Sequence, residues 1–426
     1  VLSLLKERDM ALEESSIQFV HLIISLAILL FAAKLFAELF HKLKLPVILG
    51  ELLAGILVGP FAVGGLFFFD GEPLVSLNET VLNIGGISAI VILFVAGLEI
   101  TPREFLRGGA ASFTVGSLGV ILPFFVGFVV LTLFGLDALE SMLVATALTA
   151  TSIAISVQVL TELGKMQTKE ARLILGAAIV DDILAIAVLS VVTTMVQTGD
   201  TSPAIMDVAI LILQILGLFA ALLIGSILFV PRLLHVQRVW KSKGSIEGIV
   251  TASFFGAAGI AAFVGLSPIL GAFAVGMAVA SSRLIKQVDE YAEKLLIIFG
   301  PLFFAIIGAQ VDLRGVNLNV LNLSGVVISI AIITKVVGCG LPSILFLKDR
   351  TKALRVGIGM ISRGEVGLIV AGIGVSTGVL SSDIYTTLII MVALTTIITP
   401  IWLKKSYLKD KDPIPETSAV SRKENK

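Results

Sequence analysis

Cysteine is nearly missing from this chain. Its single copy among 426 residues, Cys339, excludes a disulfide within the chain, and the small-residue run around it, "VVGCGLP", reads as packing. Histidine is almost as scarce: His21, His41 and His235 are too scattered to form a metal-spaced cluster. Charge is thin as well. Only 15% of residues are Asp, Glu, Lys or Arg, against about 25% in an ordinary soluble domain. The two signs cancel, which leaves no basic surface of the kind that binds nucleic acid. The first sixteen residues, "VLSLLKERDMALEESS", are charged and lack an apolar centre, so they do not read as a secretory signal peptide. No cofactor motif is present. What remains is apolar: 57% hydrophobic residues and a mean hydropathy of +1.05. Hydrophobic runs of about 18–25 residues recur along the whole length, the mark of an all-α polytopic membrane protein.

Thirteen spans are expected, near residues 17–39, 46–60, 81–100, 110–134, 138–163, 168–196, 204–231, 245–265, 267–282, 292–312, 323–347, 354–378 and 381–403. The second and ninth are short and Gly-rich, so they are expected to tilt, curve or be partly re-entrant. With the N-terminus placed outside, 25 of the 31 Lys and Arg fall in the inside loops, the adjoining helix ends and the tail. Only Lys6, Arg8 and Arg314 fall outside. The positive-inside rule then sets the N-terminus out and the C-terminus in the cytoplasm. Residues 1–16 become an extracytoplasmic segment, 17–403 the membrane domain and 404–426 a short, polar cytoplasmic tail of disordered composition. Lys34, in the first span, reads as structural; Lys335 and Arg363 are harder to dismiss.

An internal repeat gives the spans a plan. "LPVILGELLAGILVGP" (Leu45–Pro60) resembles "LSPILGAFAVGMAVAS" (Leu266–Ser281), and "LFVAGLEITPREF" (Leu93–Phe105) resembles "FFAIIGAQVDLRG" (Phe303–Gly315). Spans two to six thus repeat as spans nine to thirteen, offset by seven. An odd offset makes the copies enter the membrane from opposite sides, the inverted-topology layout of many secondary transporters. In such folds the substrate site lies near the midplane, at discontinuous helices in corresponding positions. Spans five and twelve correspond. "ALTATSIAIS" (Ala147–Ser156) and "GMISRGEVGLI" (Gly359–Ile369) both look breakable, and both are expected to cross there as interrupted helices.

Polar groups meet at that same depth. Span six centres on Asp181 and Asp182, span eleven on Lys335, span twelve beside Arg363 and Glu365, and span five on Thr149, Thr151 and Ser152. Glu51, in the short second span, is one of the few other ionisable residues at that depth. An aspartate at the centre of a membrane helix costs roughly 2.5–3.5 kcal/mol on translocon-type scales, so intramembrane ionisable residues read first as function. The alternative is a structural ion-pair network, but buried pairs are seldom a net gain over apolar replacements. Neighbours on a helix point about 100° apart, so the two aspartates cannot serve identical roles. Burial and a neighbouring carboxylate raise a carboxylate's pKa, while an ammonium such as Lys335 lowers it. A site so balanced can trade protons for a small cation. Its hard carboxylate, hydroxyl and carbonyl oxygens suit Na⁺ or Li⁺.

"VDDILAI" (Val180–Ile186), the mid-helix lysine of "ITKVVGCGLP" (Ile333–Pro342) and "ISRGEVGLIVA" (Ile361–Ala371) together resemble the monovalent cation/proton antiporters, most nearly their NapA-like electrogenic branch. "TATSIA" (Thr149–Ala154) resembles the unwound "TATDIA" stretch of NhaA, with Ser152 in place of its aspartate. The resemblance runs from about residue 17 to 403 and implies an NhaA/NapA-like fold, with a prokaryotic plasma membrane as its setting. It makes Asp182 the main ion- and proton-binding carboxylate, with Na⁺ held at Asp182 and Asp181. Asp181 would pair with Lys335 when no cation is bound. Thr151 and Ser152 would border the ion path, and Arg363 and Glu365 would stabilise the crossing. A core, about 110–196 and 323–403, would move against a dimerisation scaffold, about 17–100 and 204–312, in a homodimer. Exchange would carry roughly two protons against one Na⁺, as in paired-aspartate members. Glutathione-gated potassium efflux relatives have Gln-Asp at the pair and a long cytosolic nucleotide domain, so gating of that kind is not expected here.

Within transport, the rival is K⁺/H⁺ exchange, because cavity size and oxygen placement set cation choice. A sodium-coupled solute symporter would have little use for the aspartate pair and lysine. An intramembrane aspartyl protease needs its two aspartates facing each other from different helices, whereas these are adjacent on one.

Overall fold

A computed structural model of the chain describes residues 2–43, 45–69, 71–198, 205–235, 242, 244–312, 314 and 316–408. The expected tail lies outside the described residues from 409 onward. Among the described residues the secondary structure is helical, apart from a hairpin of two-residue strands, Phe68–Phe69 against Glu72–Pro73. Among the described residues, eleven helices or helix runs are long and apolar enough to cross a membrane. The sequence suggests thirteen, and the two others are shorter. Pro268–Ala280 has 13 residues, about 20 Å at 1.5 Å per residue, short of a hydrocarbon core of about 30 Å. The twelfth segment is split into two short helices.

The chain divides into two compact units. The first comprises Val1–Ala89 and Ile297–Arg314. It contains α1 (Leu2–Lys42), α2 (Val47–Val58), the hairpin, the start of α3 (Glu79–Leu98) and the end of α12 (Ile285–Ala309). Its core is Leu29, Ala33, Val75, Val81, Leu302, Ala305, Ile306 and Ala309. α2 and α12 touch backbone to backbone: a Cβ on Gly55 would collide with Ala305 O, and one on Gly308 with Leu52 O. Lipid provides no hydrophobic drive between helices, so such small-residue contacts carry the association. Glu51 is buried in this unit, and Lys34 lies exposed on α1.

The second unit comprises Ile90–Leu296 and Gly315–Lys426. After α4 (Pro102–Arg107) it runs through α5 (Gly109–Leu133), α6 (Ala138–Thr149), α7 (Ile153–Glu162), α8 (Lys169–Thr198), α9 (Ile205–His235), α10 (Ser245–Phe263) and α11 (Pro268–Ala280). It resumes with α13 (Leu318–Lys335), a π-helical stretch at Val336–Gly340, α14 (Leu341–Leu347), α15 (Arg350–Gly359), α16 (Glu365–Ser376) and α17 (Ser382–Tyr407). Local chemistry sets the helix starts. Asp137 and Glu140 form a capping box on α6, and Asp349 accepts from Thr351 N and Lys352 N at the head of α15. Both satisfy N–H groups that a helix start leaves orphaned. The core of the unit joins α5, α6, α8, α13, α16 and α17 through residues such as Leu131, Leu148, Val192, Val327, Val370, Leu388 and Met391. Span five is interrupted at 150–152 and span twelve at 360–364, so each midplane stretch of polar sequence is a gap between two short helices.

Candidate ion-binding site

The two gaps satisfy each other. Backbone outside a helix has orphaned N–H and C=O groups, tolerated at membrane depth only where protein or a cavity supplies partners. Ser152 N–H donates to Ser362 O at 2.9 Å, and Ser362 Oγ donates back to Ser152 O at 3.1 Å. Thr151 Oγ1 donates to Met360 O at 3.3 Å, and Ser156 Oγ donates to Gly359 O. At Gly364 the approach is closest: a Cβ there would lie 2.8 Å from Ser152 Oγ.

Arg363 ties the second gap to its surroundings. Its Nη1 donates to Met360 O and Ile361 O, at 3.2 and 2.8 Å, just past the end of α15, and Nη2 reaches Ala331 O of α13 at 3.4 Å. A cation at a helix C-terminus meets the negative end of the helix dipole. α17 holds the Arg363 backbone from the other side. Arg363 N–H donates to Thr395 Oγ1 at 3.3 Å, and Thr396 Oγ1 donates to Arg363 O at 2.9 Å. Glu365 opens α16; its side chain lies outside the described residues.

The carboxylates sit on α8 against this crossing. Asp181 is 0% exposed, and Lys335 Nζ is 2.5 Å from its Oδ1. Its Oδ2 accepts from Thr151 N–H at 2.9 Å, at the entrance to α7. One carboxylate therefore receives both an ammonium and a backbone donor at the positive end of a helix. Asp182, the next residue, is buried too, at 4% exposure. Helical geometry turns it about 100° from Asp181. Thr151 and Ser152 are also buried. The structure thus gathers Asp181, Thr151, Ser152, Lys335 and Arg363 into one connected set beside Asp182.

The sequence reading missed three partners. Ser362 and the Thr395–Thr396 pair bind the gaps directly, and the only local signal was a run of hydroxyls, "LTTIIT" (Leu394–Thr399). Arg355, counted above among the inside cations, is in fact buried. Its Nη1 donates to Glu170 Oε1 at 3.2 Å and Nη2 to Ser406 O at 3.0 Å, while its guanidinium lies 4.0 Å from the Tyr407 ring centroid. Tyr407 OH donates to Glu170 Oε1 at 3.3 Å. This cluster joins the start of α8, α15 and the end of α17.

Comparison with known proteins is consistent along the chain. The family model described as "Sodium/hydrogen exchanger, transmembrane" matches residues 26–406. The high-affinity Na⁺/H⁺ antiporter NhaS3 of Synechocystis is 35% identical over 418 residues, covering 90% of this chain and 89% of that protein. The Na⁺/H⁺-K⁺ antiporter GerN of Bacillus cereus is 33% identical over 392 residues, covering 91% and 96%. Among solved structures, the sodium proton antiporter MjNhaP1 of Methanocaldococcus jannaschii shares the fold, with a TM-score of 0.65 over 91% of this chain and 98% of that one, at 18% identity. None of these singles out the NapA-like branch. The chain belongs to the sodium/hydrogen exchanger family.

Proposed function

We propose that this chain exchanges Na⁺ for H⁺ at the Asp181–Asp182 site, electrogenically, in the manner of the NapA-like branch. The observation that carries the reading is the Lys335–Asp181 pair, buried at the crossing of two interrupted helices and one residue from Asp182. Asp182 is the residue that loads Na⁺ or protons. Asp181 is held by Lys335 and by Thr151 N–H when the site is empty of cation, and an arriving Na⁺ competes with Lys335 for it. Thr151 and Ser152 offer hydroxyls and carbonyls along the path, oxygen ligands suited to a hard cation. Arg363 keeps the crossing closed, and Glu365 is assigned the same duty from its place at the head of α16.

Thirteen crossings, two of them interrupted, form an inverted repeat with the N-terminus outside and the C-terminus in the cytoplasm of a prokaryotic cell. A core, about 110–196 and 323–403, alternates against a scaffold, about 17–100 and 204–312, within a homodimer. Two carboxylates and a lysine allow more than one proton to leave for each Na⁺ that binds, which makes the cycle move charge. K⁺ as an alternative cation is favoured by one observation, the Na⁺/H⁺-K⁺ activity in the name of GerN.

Proteoliposomes carrying a pH gradient test this. Na⁺, Li⁺ or K⁺ is added in turn and dissipation of the gradient is followed by dequenching of a pH dye. Na⁺ is expected to give the response, and Asp182→Asn to abolish it. No response to any of the three cations would sink the exchange reading, and an undiminished rate in Asp182→Asn would sink the site.

A further inference from the structure

α5 brings no charged side chain to the ion pair, yet it walls one side of it. At its middle is Gly119. A Cβ on Gly119 would lie 2.7 Å from Cys339 Sγ, 3.3 Å from Asp181 Oδ1 and 3.6 Å from Lys335 Nζ. Three groups, from α8, from the end of α13 and from the π-helical stretch after it, therefore converge on a place that only a missing side chain leaves open.

The packing around Gly119 has little slack. A Cβ on Gly116 would lie 2.5 Å from Ala177 O of α8, and one on Gly338 would lie 2.8 Å from Leu118 O. Cys339 Sγ also reaches Val115 O at 3.7 Å. α5 thus touches backbone on both flanks and cannot retreat from an added methyl. Cys339 Sγ lies against that methyl's place. Cys339 sits on the π-helical stretch Val336–Gly340, which begins directly after Lys335. Such stretches are local departures from the α ladder and occur often at functional sites.

We propose that Gly119 is a positioning residue for cation exchange: its absent side chain sets how closely Lys335 approaches Asp181, and so how strongly lysine competes with Na⁺ there. The inference rests on the competition described above. A methyl at position 119, held in place by Cys339 Sγ behind it, presses on Asp181 Oδ1 and Lys335 Nζ, which lengthens the Lys335–Asp181 contact. Attraction between the two charges falls with distance. Na⁺ then meets a weaker rival, and half-saturation occurs at lower Na⁺, while the maximal rate moves less.

The experiment compares the full chain with Gly119→Ala, Cys339→Ala, the double variant and Lys335→Ala in the same proteoliposome assay. At fixed pH, half-saturating Na⁺ is expected to fall at least about twofold in Gly119→Ala, the lower range of coupling between contacting residues. Cys339→Ala should match the parent. The double variant should return to the parent value, because removing Sγ makes room for the new methyl. An unchanged half-saturating Na⁺ in Gly119→Ala overturns the inference, as does a double variant that keeps the altered value. Lys335→Ala separates the two levels. If it leaves the Na⁺ dependence unchanged, the competition itself is refuted, and this inference with it. If it shifts the dependence while Gly119→Ala does not, the role of Gly119 alone is refuted. Should Gly119→Ala fail to fold, Cys339→Val crowds the same space from the opposite side. It is expected to lower half-saturating Na⁺, and an unchanged value overturns the inference.

Discussion

Asp181 and Lys335 are each fully buried, and each is the other's charge partner. Breaking a buried pair by removing one member leaves an uncompensated charge and costs about 3–5 kcal/mol, whereas replacing both can be nearly neutral. Lys335→Ala is therefore expected to lower the melting temperature of the purified protein clearly. Asp181→Asn combined with Lys335→Met should recover most of the loss. Thermal unfolding followed by size-exclusion in detergent reads both. A double variant as unstable as Lys335→Ala would show that the pair is not the stabilising unit. The same residues explain what could be seen in the sequence. A charge at the centre of an apolar run is conspicuous without any structure, so Asp181, Asp182, Lys335 and Arg363 could be singled out one by one. Their pairing could not be settled that way. That Lys335 meets Oδ1 while Thr151 N–H meets Oδ2 depends on how α7, α8 and α13 pack.

The interrupted helices were legible for a different reason. Glycine, hydroxyls and charge in the middle of "GMISRGEVGLI" and "ALTATSIAIS" all disfavour a continuous apolar helix, and both stretches are gaps. The clamp on the second gap was not legible. A helical threonine ordinarily bonds its own preceding turn, and Thr395 does so through Met391 O at 2.8 Å. Only the fold shows that Thr395 also accepts from Arg363 N–H and that Thr396 turns to Arg363 O. Thr396→Val leaves that buried carbonyl short of a donor, a loss of about 1–3 kcal/mol. It is expected to destabilise the protein by that order while Thr386→Val, at the outer turn of α17, has a smaller effect. Equal losses in thermal melts of the two variants would count against a clamp at position 396. The turn after α12 gives a contrasting case. Arg314 donates to Asp312 through Nε and Nη2 and holds its carboxyl below the usual carboxylate range. A depressed carboxylate contributes above its ordinary pKa and is lost only as pH falls through the lowered value. Asp312→Asn is thus expected to leave the pH profile of exchange unchanged at neutral and alkaline pH. A displaced profile in the dequenching assay would tie that turn to transport.

Across the whole molecule, the distribution of Lys and Arg argues for a single orientation, and burial revises it at one residue. Arg355 is bound to Glu170 and Ser406 O and is not a free loop cation; removing it from the inside group barely changes an asymmetry that rests on more than twenty others. The orientation can be tested with few changes, because the chain's single cysteine is fully buried. The run Leu318–Leu347 has 30 residues, about 45 Å at 1.5 Å per residue, enough to cross the hydrocarbon core. Asn319, in the first turn of the run, and Arg350, just past its end, are exposed, as is Lys169 at the start of α8. With the C-terminus inside, Arg350→Cys and Lys169→Cys should react with a membrane-impermeant maleimide in inside-out vesicles and resist it in intact cells. Asn319→Cys should show the opposite pattern. Labelling of Arg350→Cys and Asn319→Cys from one side would mean that the run does not cross, which would break the alternation on which the inverted repeat depends. The two reacting from the reversed sides would keep the repeat and turn the transporter over in its membrane, so that the N-terminus lay inside and the exchange ran with its faces interchanged.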